Sequence, residues 1–370
     1  MGLAVERQGG SDIRVLIADD SAVIRGVLKR TLEAASGITV AGAAFDGMHA
    51  VRQAAQLQPD VVILDVEMPV LDGLAALPRI LEAAPGVPVV MYSTLTRRGA
   101  SAAIEALSKG ASDYATKPSN TGSAEEARLA VEESLIPLVR TWGSIGQSRH
   151  LRGARTVAPR VQAPLRPRPM GLRRPPSAIL VGCSTGGPNA LAAVVSKLPV
   201  LSVPVLVVQH MPEIFTELLA QRLNSMTPMP VSEAAEGALV EPGHVYIARG
   251  GRHMTLRRSD KEVRIHLDDG PPENFCKPAV DVLFRDAVEV WGGALTAYVL
   301  TGMGSDGLRG ARGIREAGGS VYVQDEATSV IWGMPGAIAG AGLADGTLAL
   351  DSIAASMAEA GGVARVARAL

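Results

Sequence analysis

Residues 178–188 read Ala-Ile-Leu-Val-Gly-Cys-Ser-Thr-Gly-Gly-Pro, an apolar run that stops at a glycine-rich turn. A helix-like stretch, Asn189–Lys197, follows directly. A short apolar run bounded by turn residues predicts a buried strand of a parallel sheet. Gly182-Cys183-Ser184-Thr185-Gly186 has the Gly-x-Ser-x-Gly spacing of a nucleophile on a sharp strand-to-helix turn. Small neighbours let the backbone turn tightly, and the helix N-terminus offers N–H groups to a developing oxyanion. The turn geometry singles out the Thr185 N–H. A Gly-rich turn before a helix also suits a phosphate. Against that use, the glycines do not follow Gly-x-Gly-x-x-Gly, and the turn has no P-loop lysine.

The flanking strands supply what a serine needs. Val203–Gln209 is the next buried run and ends at His210, and Ala294–Leu300 leads through Thr301-Gly302-Met303-Gly304-Ser305 to Asp306. A serine becomes a good nucleophile beside a base, and an acid orients that base. Ser184, His210 and Asp306 at three strand ends therefore form a candidate triad. Their chain order differs from the Ser, Asp, His order of α/β-hydrolases, so the spacing does not imply that fold. His244 and His253 compete for the role of base, His253 being the better rival, whereas His49, His150 and His266 have no supporting context. Between these elements, Val231–Asp268 is dense in Gly, Pro and alternating residues, and reads as β structure. Ser320–Gln324 reads as a further buried strand.

The first half alternates in the same way. Ile13–Ala18, Thr39–Ala44, Val61–Leu64, Val87–Tyr92 and Ala111–Ala115 read as strands, with helical patterns such as Ala22–Ala35 and Asp46–Gln56 between them. Five β/α repeats predict a doubly wound parallel sheet whose functional groups gather at the carboxyl ends of the strands. Those ends carry Asp19-Asp20, Asp65 and Lys117-Pro118. Three carboxylates in one pocket repel one another, and Mg²⁺, which prefers oxygen ligands, relieves the conflict. The same ion suits transfer of a phosphoryl group to a carboxylate.

From Thr141 to Pro176 the chain has eight Arg, six Pro and no acidic residue, a composition that predicts an extended linker. The expected organisation is a first domain over 11–135, a linker over 141–176 and a second domain over 177–365, in keeping with a length of 370 residues. A net charge of −1 and the lack of aromatics among the linker arginines argue against nucleic acid. No long apolar run predicts a membrane-inserted segment, and no signal peptide is legible. Two cysteines, Cys183 and Cys276, make neither a disulfide framework nor a zinc site by themselves. A cytoplasmic location is the simplest expectation.

Asp19-Asp20-Ser21, Leu64-Asp65-Val66-Glu67-Met68-Pro69 with Asp72-Gly73, Ser93-Thr94 and Lys117-Pro118 together resemble a response-regulator receiver domain, a flavodoxin-like fold. The resemblance implies that Asp65 accepts phosphate from a chemotaxis histidine kinase. It also implies that Asp19, Asp20, Asp65 and the Glu67 carbonyl hold Mg²⁺. Ser93 is then the switch hydroxyl, with Thr94 the alternative, Tyr114 the switch aromatic and Lys117 the partner of the phosphoryl group.

Gly182–Pro188, Gln209–Pro212, Pro242–Ala248, Pro278–Phe284 and Leu300–Gly307 resemble the catalytic domain of chemotaxis protein-glutamate methylesterases, the CheB family, which is α/β with a mostly parallel sheet. The resemblance implies a phosphorylation-activated hydrolase of glutamate methyl esters, and a glutamine deamidase, on methyl-accepting chemotaxis receptors. Ser184 is then the nucleophile, His210 the base, Asp306 its orienting acid and the Met303 N–H an oxyanion donor. Ester hydrolysis is expected to need no cofactor, Mg²⁺ serving the receiver alone. The unphosphorylated receiver is expected to restrict access to the catalytic face. Two departures stand out: Cys183 precedes the nucleophile where Ala is common, and Phe275-Cys276-Lys277-Pro278 replaces an aromatic or His followed by Arg-Pro.

Overall fold

The computed structural model describes residues 12–118, 123–152 and 175–364. The chain divides into two compact units, 1–158 and 159–370. The first contains β1 (Ile13–Ala18), α1 (Ala22–Ala34), β2 (Ile38–Ala44), α2 (Gly47–Leu57), β3 (Val61–Asp65), α3 (Gly73–Ala83), β4 (Val89–Ser93), α4 (Arg97–Ser108), β5 (Asp113–Thr116), α5 (Ala124–Ser134) and α6 (Ile136–Arg152). Its five strands lie in the order β2-β1-β3-β4-β5, all parallel. Strands β3 and β4 are buried along their whole length, which is why they read as unbroken apolar runs rather than as an alternation. Asp46, Asp72 and Thr96 cap α2, α3 and α4 by accepting hydrogen bonds from the first turn of each helix.

The linker expectation meets a different start. Residues 141–152 continue helix α6 instead of running extended. Val139 and Trp142 are buried, and the Trp142 indole N–H donates to Asp113 Oδ2 at 3.3 Å. Gly143 and Gly146 let the helix lie against Ile13 and the Asp60 carbonyl, where a Cβ would come within 2.2 and 1.8 Å. All eight arginines of the stretch fall at 149 or later and all six prolines at 159 or later, so its average composition concealed an ordered beginning. The remainder, 153–174, lies outside the described residues.

The second unit contains β6 (Ala178–Cys183), α7 (Gly187–Val195), β7 (Val205–Gln209), α8 (Phe215–Asn224), β8 (Val231–Glu233), β9 (Val245–Ile247), β10 (His253–Ser259), β11 (Glu262–Asp268), α9 (Val280–Trp291), β12 (Leu295–Val299), α10 (Leu308–Glu316), β13 (Ser320–Gln324), α11 (Met334–Gly340), β14 (Gly346–Leu348) and α12 (Leu350–Gly361). Seven parallel strands lie in the order β14-β13-β12-β6-β7-β9-β8. The region read as β structure splits into β8, β9 and an antiparallel hairpin, β10-β11. The hairpin buries Met254, Leu256, Ile265 and Leu267 in one core with Leu283 and Phe284 of α9. Strand β6 sits between β7, the next strand in the chain, and the later β12. The crossovers therefore diverge at its carboxyl end, where α/β sheets open a crevice. No described helix is long and apolar enough to cross a membrane.

Candidate active site and receiver pocket

The nucleophile turn follows from this topology. In register, Gly182 faces Val299 of β12 and Cys183 faces Gln209 of β7. Ser184, His210 and the segment after Leu300 thus leave the sheet at one level. Gly186 turns the chain with φ 77°, a left-handed conformation that glycine adopts without steric cost. The Ser184 N–H donates to the Thr301 carbonyl at 3.0 Å, and the Ser184 carbonyl accepts from Gly187 N and Gln209 Nε2 at 2.7 and 3.0 Å. Gly302 lets the two loops touch, because a Cβ there would lie 2.9 Å from Ser184 Cβ and 2.4 Å from Met334 Sδ. Among the described residues, the backbone N–H groups of Thr185 and Met303 donate to no acceptor. Cys183 is wholly buried and its Sγ faces the Val208 carbonyl at 3.7 Å; burial raises its thiol far above the ordinary value.

His210 and Asp306 are brought together directly. His210 Nε2 lies 2.8 Å from Asp306 Oδ2. The carboxylate also accepts from Val280 N (2.6 Å), Asp281 N (3.0 Å), Gly307 N (2.9 Å) and Asn274 Nδ2 (2.8 Å). Val280 and Asp281 open α9, whose N-cap residue Ala279 has no side-chain oxygen to offer. Asp306 therefore caps α9 from across the sheet, and the helix terminus in turn favours its negative charge. Burial raises the Asp306 pKa, but the His210 contact and these N–H donors outweigh it and hold the acid below its ordinary value. For His210, burial favours the neutral ring. The contacts with Asp306 and then Cys276 overcome that and push the imidazole up to about 9.

The other ring nitrogen, Nδ1, faces Cys276 Sγ at 3.4 Å. Among the described residues, Ser184 Oγ has no hydrogen-bond partner, so the structure sets serine and imidazole on adjacent strand ends without joining them. Such bonds are often long in ligand-free enzymes. Glu273 and Cys276 exchange backbone hydrogen bonds at 3.1 and 2.9 Å across a tight turn, with Asn274 and Phe275 at φ 53° and 62°. Asn tolerates this region; for Phe, which is fully exposed here, it is uncommon. The turn aims the Asn274 amide at both Asp306 and Asp281 (2.8 and 2.9 Å). Asn274 was not legible in the sequence as part of the site. The rival His253 is buried, with Nε2 on the Pro271 carbonyl at 3.0 Å and Nδ1 accepting from Ala279 N at 3.2 Å. Both of its nitrogens hold loops in place.

In the first unit, Asp19, Asp65 and Lys117 are buried at the carboxyl ends of β1, β3 and β5. Lys117 Nζ lies 2.8 Å from Asp19 Oδ2 and 2.7 Å from Asp65 Oδ2. These are short, charge-assisted contacts made by one ammonium to two buried carboxylates. Burial pushes Asp65 up to about 6 despite the nearby ammonium, and the two acids raise Lys117 above its ordinary value against its own burial. Carboxylate oxygens of Asp19, Asp20 and Asp65 lie within 4.8 Å of one another. An all-oxygen set of three clustered carboxylates fits a hard cation such as Mg²⁺. The Glu67 N–H donates to Asp65 Oδ1 at 3.3 Å. Ser93 is buried at the end of β4, its hydroxyl donating to the Thr94 carbonyl at 3.1 Å, while Thr94 Oγ1 pairs with Thr96 Oγ1. Tyr114 lies partly buried in β5.

Comparison with known proteins shows the family of each unit. Residues 179–357 match the CheB methylesterase family and residues 15–127 the response regulator receiver domain family. A protein-glutamate methylesterase/protein-glutamine glutaminase of a Nocardioides species is 49% identical, the alignment covering 91% of this chain and 92% of the relative. One from Rhodopseudomonas palustris is 45% identical over 92% of each. Among solved structures, the Thermotoga maritima CheB methylesterase catalytic domain is 39% identical, covering 50% of this chain and 98% of its own, with a TM-score of 0.49. The response regulator domain of Thermotoga maritima CheB is 43% identical, covering 36% and 97%, with a TM-score of 0.33.

Proposed function

Because the chain belongs to the CheB methylesterase family and carries a receiver domain ahead of its esterase domain, we propose that it removes methyl esters from receptor glutamates under phosphorylation control. The observation that carries this reading is the 2.8 Å His210–Asp306 contact beside the Ser184 turn. With Nε2 engaged by Asp306, Nδ1 is the nitrogen left to take a proton from Ser184 Oγ. The serine oxygen attacks the ester carbonyl, and the Thr185 and Met303 N–H groups receive the oxyanion. His210 then gives that proton to the departing methoxy oxygen as the C–O bond breaks, releasing methanol, and water hydrolyses the acyl-enzyme with His210 again as base. A glutamine amide follows the same course with ammonia leaving. The wholly buried Cys183 takes no part.

Asp65 is the phosphate acceptor in this proposal. Asp19, Asp20, Asp65 and the Glu67 carbonyl would hold Mg²⁺, which neutralises charge during phosphoryl transfer. Lys117 pairs with the phosphoryl oxygens, and Ser93 and Tyr114 respond to them. A chemotaxis histidine kinase is the phosphodonor, methyl-accepting chemotaxis receptors are the substrate, and the cytoplasm is the location. The domain limits in this reading are 11–135 for the receiver and 177–365 for the esterase, with ester hydrolysis itself needing no cofactor. A fluorophosphonate probe tests the nucleophile. Stoichiometric labelling mapped to Ser184 supports it, and labelling that persists in Ser184→Ala contradicts it.

A further inference from the structure

We propose that His210 Nδ1 and Cys276 Sγ together form an inhibitory site for a soft divalent cation of the zinc or cadmium class. The two atoms lie 3.4 Å apart, in a His210–Cys276–Asp306 cluster in which Asp306 engages the opposite ring nitrogen, Nε2, rather than the cation. Zinc binds thiolate at about 2.3 Å and imidazole at about 2.0–2.1 Å in a tetrahedron. Those lengths place sulfur and nitrogen roughly 3.5 Å apart, close to the spacing present here.

The surroundings match such a site in three respects. Asp306 holds Nε2, which fixes the ring and leaves Nδ1 facing the sulfur, the arrangement of a carboxylate–histidine–metal relay. The tight Glu273–Cys276 turn, anchored through Asn274 to Asp306 and Asp281, fixes the sulfur from the opposite side. Cys276 is only partly buried, so a cation can reach it, and two protein ligands leave positions for water. Thiolate and imidazole select soft or borderline metals, whereas the all-oxygen pocket of Asp19, Asp20 and Asp65 selects Mg²⁺. The two cysteines make no zinc framework by themselves, but the fold brings one of them to an imidazole. The consequence is inhibition, because the Nδ1 lone pair that binds the cation is the one that must take the serine proton. The inhibitory half of this inference rests on the esterase mechanism proposed above; the binding half does not.

The test uses the full chain in excess Mg²⁺. Cd²⁺ is titrated while its ultraviolet thiolate charge-transfer band is followed, and Zn²⁺ is titrated against hydrolysis of a small ester. Wild type should develop the band to one equivalent and lose at least 10-fold in rate. Cys276→Ala and Cys276→Ser, each checked for an intact circular dichroism spectrum, should show no band and keep most of their own metal-free rate. The wholly buried Cys183 serves as internal control. A wild type without the band, a band that survives in Cys276→Ala, or equal zinc inhibition of wild type and both variants would each overturn the proposal. A band lost with Cys276, in a protein that hydrolyses no ester, would uphold the site and sink the esterase reading instead.

Discussion

Replacing Asp306 with Asn separates the charge of the orienting acid from its shape. In the structure Oδ1 accepts from Asp281 N, Gly307 N and Asn274 Nδ2, and Oδ2 accepts from His210 Nε2 and Val280 N. An amide has only one acceptor oxygen. Keeping that oxygen at the Oδ1 position preserves three bonds and turns the NH₂ toward His210 and Val280. The NH₂ then donates to Nε2, so the ring proton moves to Nδ1 and the lone pair needed by Ser184 is lost. The wrong tautomer should cost about 10³–10⁴-fold in kcat. The Val280 N–H is left buried against a donor, at about 1–3 kcal/mol, and α9 loses the charge at its N-terminus, at about 0.3–1 kcal/mol. For a unit of this size the sum lowers Tm by about 3–15 °C. Steady-state hydrolysis of methylated receptors and thermal unfolding of the full chain read both effects. A variant within tenfold of wild-type kcat would refute the assigned role of the acid, and an unchanged Tm would refute the cap.

Other consequences follow from the same geometry. Hydrolysis requires neutral His210, and the imidazole is raised to about 9, so the rate should climb with pH until the ring has lost its proton near that value. Cys276→Ala removes one of the contacts that raise it and should move the midpoint of the pH–rate profile to lower pH; a shift to higher pH would contradict this. The raised His210 pKa also adds stability that is complete below about 6.5 and lost as pH rises through about 9, which chemical denaturation across that window would detect. Gly302→Ala drives a Cβ to 2.9 Å from Ser184 Cβ, and the displaced nucleophile should lose about 10²-fold in kcat with little change in KM. Asn274→Ala frees one side of Asp306 and should lower kcat by about tenfold, which kinetics on the small-ester substrate would show.

Much of this was legible because buried parallel strands announce themselves. Ile13–Ala18, Ala178–Cys183 and Ser320–Gln324 coincide with β1, β6 and β13, since strands covered on both faces over most of their length are mainly apolar. The chemistry was legible for the same reason: Asp65 and Ser184 are the first polar groups at the ends of such runs, and His210 follows the last residue of β7. What escaped was set by distant parts of the chain. The capping of α9 by Asp306, 26 residues beyond Val280, leaves no local signal beyond the absence of a capping side chain at Ala279. Asn274 acts through a turn with two positive φ angles, a conformation that an Asn-Phe pair does not advertise. The helical run to Arg152 was hidden by arginines and prolines that follow its packed part.

Methanol release from methylated receptor membranes, with and without a small-molecule phosphodonor, tests the central claim most directly. The account predicts stimulated release by wild type, release without stimulation by Asp65→Asn, and no release by Ser184→Ala. Stimulation that survives in Asp65→Asn, or release that survives in Ser184→Ala, would contradict it.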